Sequence, residues 1–330
     1  MLTGVTHGGT KRIRSDMRAV AIHSLLLVGC VAMPCCGVAP RGVTVNFGHQ
    51  KNIVVWDKVN RIEHFVRVSA FEGQTEKFGF IAPTPSIPTI SQVDPKAFEA
   101  LLGMDEAIRN PVRTTVYAGH AGDGPPIRVV QRVRVGDYLA TTFQASDGDA
   151  LESYLAREGF ALTPDSEKWV AHYVAKAWYL TAFRIENQEG VLDTGAICMS
   201  FATERPFNPA YVPADNLRGR VGGGYHLFLV APDYAERGTI GDRKVSPTNR
   251  FEFQRPERIN EHLKQAGVVI PDGYHVTVFE EKFRPTDHDD LYFKFEQSAA
   301  VGFPRIGCLS VLAFALVGGW VRAGLMTENR

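Results

Sequence analysis

Period-two alternation of apolar and polar residues recurs along the middle of the chain and predicts strands. NIVVW (52–56), a polar turn DKVNR and IEHFVRVSAF (62–71) read as a hairpin. In its second arm Phe65 and Phe71 fall on one face, with His64, Val66 and Val68 on the other. VVQRVRVGDYLATTFQA (129–145) reads as a strand pair bent at Gly136 and Asp137. WYLTAFRIE (178–186), GAICMSFAT (195–203), YHLFLVA (225–231), GYHVTVFEEKF (273–283) and LYFKFEQ (291–297) supply further strands. KFGFIAPTPSIPTI (77–90) carries Pro83, Pro85 and Pro88. Proline cannot donate to a ladder, so this segment is expected at a sheet edge or as a polyproline-type connector.

Helical periodicity takes over in a few places. Asp94 and Pro95 start a short helix as N-cap and first residue, and Gly103 is its expected end. GDALESYLAREGF (148–160), capped by Ser146 or Asp147, buries Ala150, Leu151, Tyr154 and Leu155 and closes at Gly159. Thr163 and Pro164 begin the next helix. Trp169, Val170, Tyr173, Val174 and Ala177 share its apolar face, and His172 points away from that face. PERINEHLKQAG (256–267) adds one more. Strands outnumber helices and the helices come in a cluster. The expected fold is α+β, a mostly antiparallel sheet with a cluster of short helices, rather than a wound parallel sheet. No fixed-period repeat is visible.

The two ends change the picture. Met17 and Arg18 precede AVAIHSLLLVGCVA, a short positive region followed by an apolar run of secretory length. Residues 1–32 are therefore a leader with a signal peptide, and translation is expected to start at Met17. Cys30 and Ala32 suit a signal-peptidase cut before Met33, and Leu27-Val28-Gly29-Cys30 also fits a lipobox in which Cys30 is acylated. Both routes stay open. Near the other end, 306–321 is free of charge, and 306–326 approaches the roughly 20 residues that cross ~30 Å of hydrocarbon. Trp320 suits the interface, and Arg322 can snorkel. The expected order is an extracytoplasmic domain (33–298), one transmembrane helix (306–326) and a short tail (327–330). The main domain then lies outside the cell membrane of a single-pass protein.

Composition narrows the partners. Lys+Arg and Asp+Glu are both 36, so the net charge is zero and nothing favours nucleic acid. The 20 Phe, 19 Pro and 31 Gly suit strands and turns. Of five cysteines, Cys30 belongs to the leader and Cys308 to the span. Cys35, Cys36 and Cys198 remain, in an oxidising compartment. Adjacent Cα atoms are ~3.8 Å apart, whereas most disulfides want about 4.4–6.8 Å. A bridge from Cys35 or Cys36 to Cys198 is therefore expected ahead of a vicinal one. A redox or metal-binding thiol pair, and idle reduced cysteines, stay open.

The segments CC (35–36), IVVWDKVNRIEHFVRVSAF (53–71), FGFIAPTPSIP (78–88), VGDYLATTFQASDGDALESYLAREGF (135–160), YVAKAWYLTAFRI (173–185) and VFEEKFRP (278–285) occur in this order. Together they resemble the bacterial family catalogued as domain of unknown function 2330. The resemblance covers most of 35–295. It implies an exported protein, often with a signal peptide and sometimes a C-terminal span. It implies no activity, catalytic residue or cofactor.

Candidate chemistry is sparse. TDHDD (286–290) sets His288 beside Asp287, Asp289 and Asp290, donors that suit a hard divalent ion; a polar hairpin loop explains them equally. RGRVGGGYH (218–226) lacks phosphate-loop spacing and precedes a strand. GxSxG, HExxH and CxxC are absent from the sequence. His64 alternates with apolar neighbours and is expected as a satisfied core or interface histidine. Glu99, Glu152 and Glu158 are expected at the surface. The leading expectation is a membrane-anchored envelope protein that binds or assembles with an envelope partner, without catalysis and without a cofactor. The rivals are an envelope enzyme using Cys35 or Cys36 as a thiol, or using the 286–290 loop for metal-assisted hydrolysis, and a purely structural envelope protein.

Overall fold

The computed structural model describes residues 35–41, 46–73, 77–106, 129–136, 138–144, 148–186, 190–193, 195–217, 224–284 and 286–296. The leader, Cys30, the 306–326 segment, the 327–330 tail, Ser146, Asp147 and the glycine-rich 218–223 lie outside the described residues. No helix among the described residues is long and apolar enough to cross a membrane.

In chain order the elements are β1 (Cys36–Val38), β2 (Asn46–Asp57), β3 (Ile62–Gly73), β4 (Lys77–Thr84), β5 (Thr89–Val93), α1 (Lys96–Glu106), β6 (Val129–Val135) and β7 (Tyr138–Gln144). Then follow α2 (Gly148–Arg157), α3 (Pro164–Ala175), β8 (Tyr179–Glu186), β9 (Gly190–Asp193), β10 (Ala196–Ala202), β11 (Phe207–Asn208) and β12 (Gly224–Ala231). The last are β13 (Ala235–Ile240), β14 (Arg243–Val245), β15 (Asn249–Glu252), α4 (Glu257–Leu263), β16 (His275–Lys282) and β17 (Leu291–Phe295). One sheet has the order β1-β4-β8-β7-β6. The largest runs β15-β16-β12-β2-β3-β10-β5, with β9 also on β3. A small sheet runs β11-β17-β13-β14. Pairing is antiparallel except between β12 and β2.

Alternation along each strand divides the apolar residues among three cores. Phe65 and Leu227 of the largest sheet meet Phe80 and Phe183 of the five-stranded sheet in the core between them. On the outer face of the largest sheet, Val66, Cys198 and Phe228 pack under Phe98 and Leu101 of α1 and Ile259 and Leu263 of α4. On the outer face of the five-stranded sheet, Ile81, Phe143 and Leu180 pack under Leu151 and Leu155 of α2 and Trp169 and Val170 of α3. The architecture is helix, sheet, sheet, helix in four layers, the sandwich that two one-sided sheets reach when each also needs an outer cover. The helices thus form two pairs on opposite outer faces, not one cluster.

Three expectations change for local reasons. β4 is an interior strand despite Pro83, because β1 reaches only Gly79, Phe80 and Ile81 and leaves Pro83 without a neighbour on that side. Gly103 does not stop α1, which continues to Glu106. The bridge between Cys198 and Cys35 or Cys36 is absent, and all three thiols are free and buried. Cys35 faces the core between the sheets, Cys36 the core under α2 and α3, and Cys198 the core under α1 and α4. The largest sheet itself separates Cys198 from Cys35.

Candidate charge and ring cluster at the end of helix α3

Helix α3 begins where Thr163 Oγ1 accepts the Ser166 backbone N–H at 3.1 Å, with Pro164 in the first turn. It ends at Ala175 with Lys176 as its C-cap, and Ala177, φ 55°, then turns the chain toward β8. That turn leaves Lys176 and Trp178 side by side. The segment joining β16 to β17 lies against them. Its near end is held by Arg243, which donates to both carboxylate oxygens of Asp287, at 3.2 and 2.6 Å, and to Glu281 at 2.5 Å.

Lys176 is the centre of the cluster. Its Nζ donates to Asp289 Oδ1 at 3.0 Å and to Asp290 Oδ2 at 3.1 Å. The same ammonium lies 4.9 Å from the Trp178 ring centre, 5.3 Å from Tyr173 and 6.0 Å from Tyr292. Tyr173 Oη donates to Asp290 Oδ1 at 2.7 Å. Arg205 stacks over the Tyr292 ring at 3.6 Å. His172 Nε2 lies 3.9 Å from Asp289 Oδ1, and its ring meets Tyr173 and Tyr211 edge-on.

The electrostatics follow from depth. Burial pushes the Asp290 carboxyl up, opposed by Lys176 and by the Tyr173 hydroxyl. Burial and then the Asp290 charge push Tyr173 well up. Burial works against the Lys176 charge, but Asp290 and Asp289 outweigh it and hold its pKa above the ordinary value. Burial and then Lys176 push His172 down, so its ring is neutral at neutral pH. Asp290 is fully buried, while His172, Lys176, Trp178, Asp289 and Tyr292 keep part of their surface in solvent.

A second polar group lies behind the cluster, between the sheets. Glu63 is fully buried, and its Oε2 accepts the Phe207 backbone N–H at 2.9 Å. Burial pushes its carboxyl well above the ordinary value. Arg67 donates to Cys35 Sγ at 2.6 Å and lies 4.4 Å over the Phe80 ring. Burial raises the Cys35 thiol against the pull of Arg67, and pushes both Cys36 and Cys198 up to about 12.

The four residues singled out in TDHDD therefore separate. Asp287 belongs to Arg243, and His288 is exposed with its ring edge-on to Tyr211. Asp289 and Asp290 join the cluster. The histidine that meets them is His172, which the helical pattern turns away from the apolar face. His172, Asp289 and Asp290 offer ligand atoms within 4.8 Å of one another. Lys176 Nζ already lies between the carboxylates, so a divalent ion has to expel it to bind. Tyr173, Lys176, Trp178 and Tyr292 are further members that motif reading missed. The available signal was the i, i+4 spacing of His172 and Lys176, which stacks them on one side of a helix.

Residues 30–233 match the bacterial family described as "Uncharacterized protein conserved in bacteria (DUF2330)". The match stops inside the fold, since β13 to β17 complete two of the sheets. No curated protein matches the sequence. Among solved structures, the crystal structure of baculovirus P35 aligns at 9% identity over 60% of this chain and 67% of that chain, with a TM-score of 0.35. A mutated baculovirus P35 after caspase cleavage aligns at 7% identity over 74% of this chain and 93% of that chain, with a TM-score of 0.32.

Proposed function

The chain belongs to the bacterial DUF2330 family, and we propose that it is an exported envelope protein whose domain recognises an envelope partner through the cluster around Lys176. The observation that carries this reading is the way Lys176 is held. Two carboxylates and three rings fix one ammonium in place. Around it, His172, Asp289, Trp178 and Tyr292 present ring faces and polar edges that stay partly in solvent. Fixed aromatic and charged groups at a surface bind with little loss of side-chain freedom, which suits recognition.

The same geometry disfavours the rival chemistries. A thiol enzyme needs a thiolate in reach of substrate, whereas Cys35 and Cys36 are wholly buried and burial raises both thiols. Metal-assisted hydrolysis by the 286–290 loop loses Asp287 to Arg243 and meets Lys176 where the ion belongs. Signal peptide and span remain part of the proposal on the strength of the sequence pattern at the two ends.

The topology is tested by protease treatment of intact spheroplasts expressing the full chain with an epitope after Arg330. The proposal expects loss of the domain and survival of a small tagged fragment. A domain that resists protease until the membrane is lysed contradicts it.

A further inference from the structure

The outer face of the largest sheet holds a second set of chemically active side chains. Antiparallel register sets Ser200 of β10 opposite His64 of β3 on one side and Thr89 of β5 on the other. Alternation puts His64 and Ser200 on the face that carries Val66 and Cys198. Helices α1 and α4 cover Val66 and Cys198. Nearer the end of the sheet, His64 and Ser200 are only half-buried and Thr89 is exposed. His64 Nδ1 and Ser200 Oγ are 2.8 Å apart, within the reach a base needs to take a hydroxyl proton. Cys198 Sγ lies 3.5 Å from the same Oγ, on the buried side. Among the described residues no hydrogen bond reaches His64 Nε2, so the ring proton can sit there and leave Nδ1 as the acceptor.

A third group supplies charge. Asp57 ends β2, two residues beyond Val55, the cross-strand neighbour of His64. Its Oδ1 accepts the backbone N–H of Val59 and Asn60, and its Oδ2 accepts the Asn60 side chain. Asp57 therefore acts on His64 through its field and not through a hydrogen bond. Burial lowers the His64 pKa and the Asp57 charge opposes that. The ring is neutral at neutral pH, ready to accept a proton, and the field of Asp57 stabilises the cation that results.

We propose that Ser200 is a nucleophile for acyl groups of the carboxylic ester class, with His64 as its general base. As Ser200 Oγ bonds to the ester carbonyl carbon, its proton passes to His64 Nδ1. The bond from carbon to the leaving alkoxide breaks, and the leaving oxygen takes that proton. Water, deprotonated by the same nitrogen, then attacks the acyl carbon; the bond from carbon to Ser200 Oγ breaks, Oγ takes the proton back from His64, and the carboxylic acid leaves. The site lies across the largest sheet from the Lys176 cluster, and the inference stands apart from the recognition reading.

The test is a fluorophosphonate probe on the full detergent-extracted chain, with peptide masses locating the adduct. Oγ bonds to phosphorus and fluoride leaves. Wild-type protein should carry the label on Ser200, and Ser200→Ala should carry none there. His64→Gln should label about a hundredfold more slowly, the scale of a lost general base, with its melting curve read alongside. The wild-type pH profile tests the base without a substitution: the rate should rise with pH and level off once His64 is neutral. No adduct at Ser200, an equal rate in a folded His64→Gln variant, or a flat pH profile would each overturn the proposal.

Discussion

Tyr173 donates its hydroxyl to Asp290 at 2.7 Å across 117 residues of sequence. Lys176, the C-cap of the same helix, reaches the other oxygen of that carboxylate. The two contacts clamp helix α3 to the start of β17. Removing the cation leaves a buried carboxylate with one neutral donor. Lys176→Met should therefore lower unfolding stability by about 3 kcal/mol, the lower end for breaking a buried pair because Lys176 keeps some solvent. Asp290→Asn in the same chain should recover part of the loss. Urea melts of the two single variants and the double variant measure the coupling, and strict additivity would contradict the clamp.

Glu63 sets a pH dependence of known sign. In the unfolded chain its carboxyl ionises near the ordinary value, 4.5, while burial keeps it protonated far above that in the fold. Its contribution to stability is therefore present below the unfolded pKa and is lost as pH rises toward the folded one. Glu63→Gln removes this loss. The melting temperature of the variant minus that of wild type should grow from about pH 4 to about pH 8. A constant difference would show that Glu63 ionises normally in the fold.

The three thiols should stay silent while the protein is folded. Cys36 and Cys198, pushed up to about 12, carry almost no thiolate at ordinary pH. Iodoacetamide should modify Cys35, Cys36 and Cys198 in denaturant and none of them without it. Modification of Cys36 in folded protein would return it to the list of reactive groups.

Ala177 follows the C-cap of helix α3 in the left-handed region, φ 55°, where a Cβ is strained. It is exposed, so the side chain contributes no packing. Ala177→Gly should raise stability by about 0.5–1 kcal/mol. A loss of that size in a thermal melt would mean that the turn between α3 and β8 differs from the one described.

Chain stopped after Asp233 should not fold. β16 pairs with both β12 and β15, and β17 lies inside the small sheet between β11 and β13. Without them β12, buried along nearly its whole length, becomes an apolar edge. Soluble, cooperatively melting 1–233 protein would contradict the domain limits.

Much of this fold is written in alternation. The hairpin of β2 and β3 follows directly from it, as does the face shared by His64 and Val66. The cap at Thr163 and the turn at Gly136, φ 55°, are local signals and sit where the sequence puts them. Short strands such as β1 and β11 are invisible by the same logic, because two or three residues carry no period. Glu63 and Arg67 share the inward face of Phe65, yet charge alone argues for the surface; only the neighbouring sheet makes their burial intelligible. The candidate site fails to show for a related reason. Lys176 and Asp290 meet through tertiary packing, and a separation of 114 positions in sequence holds no periodic trace of it.

The most direct test of an exported domain with free interior thiols is the mass of its N-terminal and cysteine-containing peptides, taken from membrane-extracted full-length protein without reduction. The account predicts a chain that starts at Met33, or at an acylated Cys30, with Cys35, Cys36 and Cys198 all unbridged. An intact leader, or a peptide linking Cys198 to Cys35 or Cys36, would contradict it.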